Sequence, residues 1–138
     1  MNGRNAIAVL TILMWAAGLT VASSADGDAL LGRYWNPDRS RQVEITREGE
    51  IYVGRVIWEA REEGDESHLG REIIRGFRYA GKGEWTDGEV VAPEGGRVYR
   101  GRLWLEDGDL MMRGFVGFDL LGRTARLERV RSASAYRG

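Results

Sequence analysis

Residues 41–59 read RQVEITREGEIYVGRVIWE. Two runs rich in Val, Ile, Tyr and Trp, 41–48 and 51–59, flank the turn REGE (47–50), where Gly49 is free to take a positive φ. The pattern predicts an antiparallel hairpin. The same alternation of strand-like text and Gly, Asp, Asn or Pro punctuation continues in both directions. It predicts further strands at 30–35, 71–79, 85–92, 97–106, 109–118 and 122–130, joined by WNPDRS (35–40), AGKGEW (80–85), PEGG (93–96) and EDGD (106–109). Strands that follow one another through short turns pair consecutively. About eight of them close into a small antiparallel up-and-down barrel, which removes exposed sheet edges. The expected fold class is therefore all-β. The acidic stretch AREEGDESHLG (60–70) lacks apolar content and reads as an exposed loop.

Two strands echo each other. IYVGRVIWE (51–59) and VYRGRLWLE (98–106) share Tyr, Gly and Arg at matched spacing. Alternation puts Tyr52, Gly54, Val56 and Trp58 on one face, and Tyr99, Gly101, Leu103 and Leu105 on the equivalent one. The echo marks either two halves of a pocket or one curvature problem solved twice; inward glycine at barrel bends favours the second. Ile51, Val53 and Ile57 make the opposite face of the third strand apolar too, which suits a covering partner.

The chain opens MNGRNAIAVLTILMWAAGLTVASSADGD, with Arg4 as the only early charge, an apolar run over 6–19 and small residues to Ala25. This is the layout of a cleavable signal peptide over 1–25, with an apolar run too short to span a bilayer. A single barrel domain is expected over 26–130, with a fraying tail at 131–138. The expected location is periplasmic or secreted, with no membrane span in the mature protein.

Charge is near balance, 20 basic against 21 acidic residues, so nucleic acid is not an expected partner. There is no cysteine and one histidine, which leaves no disulfide framework and no N/S ligand set for a transition metal. His68 sits beside Ser67 in the acidic loop and reads as a solvated histidine rather than a catalytic base. The carboxylates cluster in turns, where turn chemistry explains them. No catalytic residue, metal or cofactor is expected, and an enzyme is the least favoured class.

Aromatic and arginine content remain. Pockets are lined by aromatics with a few placed polar groups. Trp58, Arg75, Phe77, Tyr99, Arg113 and Phe115 are the candidate ligand-lining residues. Arg75 and Arg113 each precede Gly-Phe. If either points inward it needs Glu44, Glu72, Glu128 or the anionic head of a ligand; otherwise it faces out.

LLGRYWNPDRSRQVEITREGEIYVGRVIWEA (30–60), LGREIIRGFRYAGKGEWTDGEV (69–90) and GRLWLEDGDLMMRGFVGFDLLGRTARLERV (101–130) together resemble DUF2147, a family of small exported bacterial proteins with no assigned activity. The resemblance implies export and fold more than function. The chain departs from it in having a shorter third loop, and in placing Tyr34, followed by Trp35, where the family has the Trp of Gly-x-Trp. A looser similarity, to lipocalin-like barrels, implies that an arginine of the last strand covers that aromatic at the closed end. Gly32, Tyr34 or Trp35, and Arg123 or Arg126 are the candidates for this closure. In MMRGFVGFDLLGRTARLERV (111–130), Gly114 and Gly117 then relieve strand seven, FDLLG turns the corner, and 122–130 closes the sheet.

The expected function is binding of a small apolar or amphipathic molecule inside the barrel. The alternative is an envelope interaction or structural module with no ligand, whose protein partner the sequence does not name.

Overall fold

The structure, a computed structural model, describes residues 24–115 and 123–131. Residues 1–23 of the expected signal segment, the corner with Gly117, Phe118 and Gly122, and the tail beyond 131 fall outside the described residues. Eight strands form: β1 Gly32–Trp35, β2 Arg41–Glu48, β3 Ile51–Glu59, β4 Glu72–Gly81, β5 Glu84–Val91, β6 Val98–Glu106, β7 Asp109–Phe115 and β8 Arg123–Arg129. Each pairs antiparallel with its neighbour in the chain. β8 returns to β1 through Tyr34–Arg129 and Trp35–Glu128, so the barrel closes. The fourth strand runs past its expected end because Lys82 (φ 54°) and Gly83 (φ 72°) suffice to turn the β4–β5 hairpin.

The β2–β3, β4–β5 and β6–β7 hairpins gather at one end of the barrel. Loops 36–40, 60–71 and 92–97 gather at the other. The hairpin end is plugged by a helical turn, Ser24–Gly27, and a 3-10 turn, Asp28–Leu30, which drives Leu30 fully inside. The Tyr52 hydroxyl donates to Asp28 (2.8 Å), and Arg47 pairs with the same carboxylate (3.0 Å).

Arg129 locks this plug. Its guanidinium lies 4.8 Å from the centre of the Tyr34 ring and donates to the carbonyls of Gly108 (2.8 Å), Ala29 (2.9 Å) and Leu31 (3.1 Å) and to the Tyr34 hydroxyl (2.6 Å). That hydroxyl donates onward to Leu30 O (2.8 Å). Gly32 makes room: a Cβ there would stand 2.8 Å from Arg129 Nη1. Burial pushes the Tyr34 hydroxyl up to about 12. Asp109 accepts from the Arg129 backbone N–H (3.0 Å) and from Arg126 (3.1 Å), and the backbone bond first of all holds its carboxyl below the usual range.

The closure therefore uses Gly32 and Tyr34 as expected but corrects the arginine. β8 runs toward the plugged end. Arg123, on the inward file, starts at the wrong end; Arg126 has the wrong parity and pairs outside with Glu106 and Asp109. Trp35 also faces out, edge-on to Trp58 with ring centres 5.6 Å apart.

The half of the barrel nearer the plug is filled by Tyr34, Tyr52, Phe77, Trp85, Leu103 and Leu110, all buried. A register slip between β3 and β4 brings both Ile74 and Phe77 inside. The Phe77 ring occupies the space over two inward glycines. A Cβ on Gly88 would collide with it, and one on Gly101 would lie 2.9 Å from its Cζ. Outside, arginine and glutamate pair across strands, as in Arg33–Glu44 (2.9 Å) and Arg55–Glu72 (2.7 Å). Such exposed pairs each contribute about 0–1 kcal/mol.

Candidate functional site

Toward the loop end the inward side chains shrink. On β7 the inward file passes from Leu110 through Met112 to Gly114, and on β8 from Leu127 to Ala125, with Arg123 beyond it at the rim. The space left is a cavity of about 560 Å³ lined by Val90, Arg97, Tyr99, Met112, Gly114, Arg123 and Ala125. An adjoining apolar cavity of about 240 Å³ shares Val90, Tyr99 and Met112 with it. Val43, Ile73 and Leu127 extend this second cavity inward, and Asn36, Pro37 and Arg41 stand at its rim. Volumes of this order suit a small ligand.

Of the six candidate lining residues, only Tyr99 borders this space. Phe77 belongs to the packed core nearer the plug. Trp58 is turned outward because the β2–β3 register slips: Gln42 pairs with Trp58 and Val43 with Val56, leaving Ile57 as the extra residue. Trp58 is thus 45 % exposed instead of sharing the inward face of Tyr52 and Val56. Arg75 faces out and pairs with Glu89 (2.9 Å), opposite it on β5. Arg113 reaches Thr124 Oγ1 (3.3 Å) on the outer face, and Phe115 has the same outward parity.

The bulge at Ile57 has a second effect. It turns Glu59 inward at the rim, where its side chain is only 4 % exposed and lies 3.8 Å from Arg41 Nε. Glu59 accepts from the His68 backbone N–H (2.9 Å) and the Ser67 hydroxyl (3.0 Å), and its other oxygen lies 3.2 Å from His68 Nδ1. The backbone bond from His68 is the main cause that holds the Glu59 carboxyl below its usual range despite burial. His68 is therefore not a solvated loop residue. Its side chain, 12 % exposed, ties loop 60–71 to the rim. Arg41 also binds Glu94 of loop 92–97 (2.7 Å), so one arginine bridges two loops of the mouth.

The sequence carries a signal for this rim. Three inward files begin at the mouth with arginine: Arg41-x-Val43-x-Ile45, Arg97-x-Tyr99-x-Gly101 and Arg123-x-Ala125-x-Leu127. Only the strand directions reveal that all three arginines lie at the same end.

No group of three or more His, Cys, Asp or Glu residues able to hold a metal occurs among the described residues. No described helix is long and apolar enough to cross a membrane.

A comparison with curated proteins finds no match. Among solved structures, the barrel is similar to one described as "Protein HP1028 from the human pathogen Helicobacter pylori belongs to the lipocalin family". The TM-score is 0.62 at 16 % identity, over 78 % of this chain and 86 % of that one, a likeness of fold. The model of a family described as "Uncharacterized protein conserved in bacteria (DUF2147)" matches residues 32–129, all eight strands, and the chain belongs to that family.

Proposed function

We propose that this protein acts after export, in the periplasm or outside the cell, as a non-catalytic holder of a small apolar or amphipathic molecule. The observation that carries the reading is the division of the barrel interior. One half is packed and plugged, while the other leaves apolar space open to the rim. A concave, largely apolar cleft with a few polar groups at its edge is where small molecules bind. The lipocalin-like fold agrees with this use but does not carry it.

Mass spectrometry of the protein purified natively from the cell envelope tests both parts. The expected result is a chain beginning at Asp26 that carries a stoichiometric apolar adduct, released on denaturation. An uncleaved cytoplasmic chain would overturn the export reading; a cleaved chain with no adduct, and no uptake of alkyl probes in vitro, would overturn the binding reading.

A second reading, docking of a protein on the outer wall, is favoured by the β3 bulge, which leaves Ile57 and Trp58 exposed beside Trp35. Crosslinking in the envelope from position 57 would capture a discrete partner if this reading holds, and none if it does not.

A further inference from the structure

We infer that the ligand is a single-chain amphiphile with an anionic head, its alkyl chain in the apolar cavity and its head, a carboxylate in the simplest case, between Arg97 and Arg123. This rests on the binding reading above and names the ligand class for that site.

The argument begins with parity. Arg97 directly precedes β6 and continues the inward file of Tyr99. Arg123 opens β8 and continues the inward file of Ala125. Both line the larger cavity. They enter from non-adjacent strands, so two guanidiniums border one space whose walls are otherwise Val90, Tyr99, Met112 and Ala125.

Among the described residues neither arginine has a carboxylate partner. The contrast with nearby arginines is sharp. Arg41, the third rim arginine, is held by Glu94 and flanked by Glu59. Arg75 and Arg126 on the outer wall each have a partner carboxylate. Arg100 and Arg102 on β6 also lack a carboxylate partner among the described residues, but only Arg97 and Arg123 combine that with a place on the cavity lining.

The chemistry follows. An alkyl chain matches the apolar walls, and its burial is favourable in proportion to the area removed from water. A carboxylate at the rim accepts charge-assisted, bidentate bonds from guanidinium, the geometry arginine supplies best. A cationic head would meet two like charges, and a neutral head would leave both uncompensated. The rim is open to solvent, so the head-group contribution should weaken with salt.

Isothermal titration of the mature protein with decanoate, decanol and decyltrimethylammonium, all below micelle formation, tests this. Decanoate is expected to bind about tenfold or more tighter than decanol, and the cation weakest. The double variant R97Q/R123Q should bring decanoate to the level of decanol and leave decanol itself unchanged. R75Q, an outer-wall control, should change neither. Both rim side chains are exposed, so the melting temperature of the double variant should stay near that of the wild type, excluding a folding defect. Equal affinity for decanoate and decanol, or an unchanged decanoate affinity in the double variant, would overturn the head-group inference while leaving the binding reading intact. Failure of all three probes to bind would overturn both. Substituting decyl sulfate for decanoate separates a preference for carboxylate from a preference for any anion.

Discussion

The two ends of the barrel use the same strand text to different effect. Tyr52 and Tyr99 occupy matched places in IYVGRVIWE and VYRGRLWLE. β3 runs away from the plug and β6 toward it. Tyr52 therefore lies under the plug, hydrogen-bonded to Asp28, while Tyr99 lies at the rim beside open space. The same holds along β8, where Arg129 and Arg123 share the inward file at opposite ends. Arg129 is saturated by carbonyls and an aromatic ring; Arg123 has no carboxylate partner among the described residues. Direction, not composition, decides whether an inward residue builds stability or meets a ligand.

Substitutions at the two ends should differ accordingly. The largest effect is expected for Phe77→Ala, which removes the ring that fills the space over Gly88 and Gly101. It should cost about 3–5 kcal/mol in denaturant unfolding. Ala125→Phe, which fills the cavity at the mouth, should cost far less and block ligand uptake. A small loss at Phe77 would show that the plugged half is not the stabilising half.

Arg129→Ala comes next, at about 2 kcal/mol, since it strips several charged hydrogen bonds, two of them to part-buried carbonyls, and the contact over the Tyr34 ring. Arg123→Ala, same residue type and same strand, should stay within about 0.5 kcal/mol. Equal losses in chemical denaturation would erase the distinction drawn between the two ends.

The plugged end should also titrate. Tyr34 and Tyr52 ionise at about 12 when folded, against 10.0 for the free group, chiefly because burial disfavours the phenolate. A raised acid pKa stabilises the fold below the unfolded value, and that contribution is lost as pH rises from 10.0 toward about 12. Tyr34→Phe should show a shallower alkaline loss over this window than the wild type. Parallel curves would mean that the Tyr34 hydroxyl is not buried in the way described.

A modest effect is expected for Trp58→Ala. Its edge-on contact with Trp35 lies outside the barrel and should contribute about 0.5–1.5 kcal/mol. A loss of the size expected for Phe77 would place Trp58 inside after all.

The strand pattern and consecutive pairing were legible because alternation and turn residues are local signals. Closure was legible as well, since about eight strands joined by short turns are enough to close a sheet and remove its edges, and β8 does return to β1. The site was mostly not legible. A single bulge at Ile57 inverts parity for Trp58 and Glu59, and no local residue announces it. Arg75 reads as a candidate ligand contact until Glu89 is found opposite it across the β4–β5 ladder, a pairing fixed by register. His68 looked solvated because its partner, Glu59, lies across the loop and becomes inward only through the same bulge. Arg97 and Arg123 carried a readable mark, arginine two residues ahead of an inward apolar file, but which end they occupy depends on strand direction in the closed sheet.

The central claim is that, within the described barrel interior, ligand space lies at the mouth and not in the plugged half. Methyl NMR of the mature protein during titration with decanol tests it most directly. Met112 and Ala125 methyl signals should shift and saturate, while those of Leu103 and Leu110 stay fixed. Unmoved methyl signals throughout, or shifts confined to outer-wall residues such as Ile57 and Val98, would contradict it.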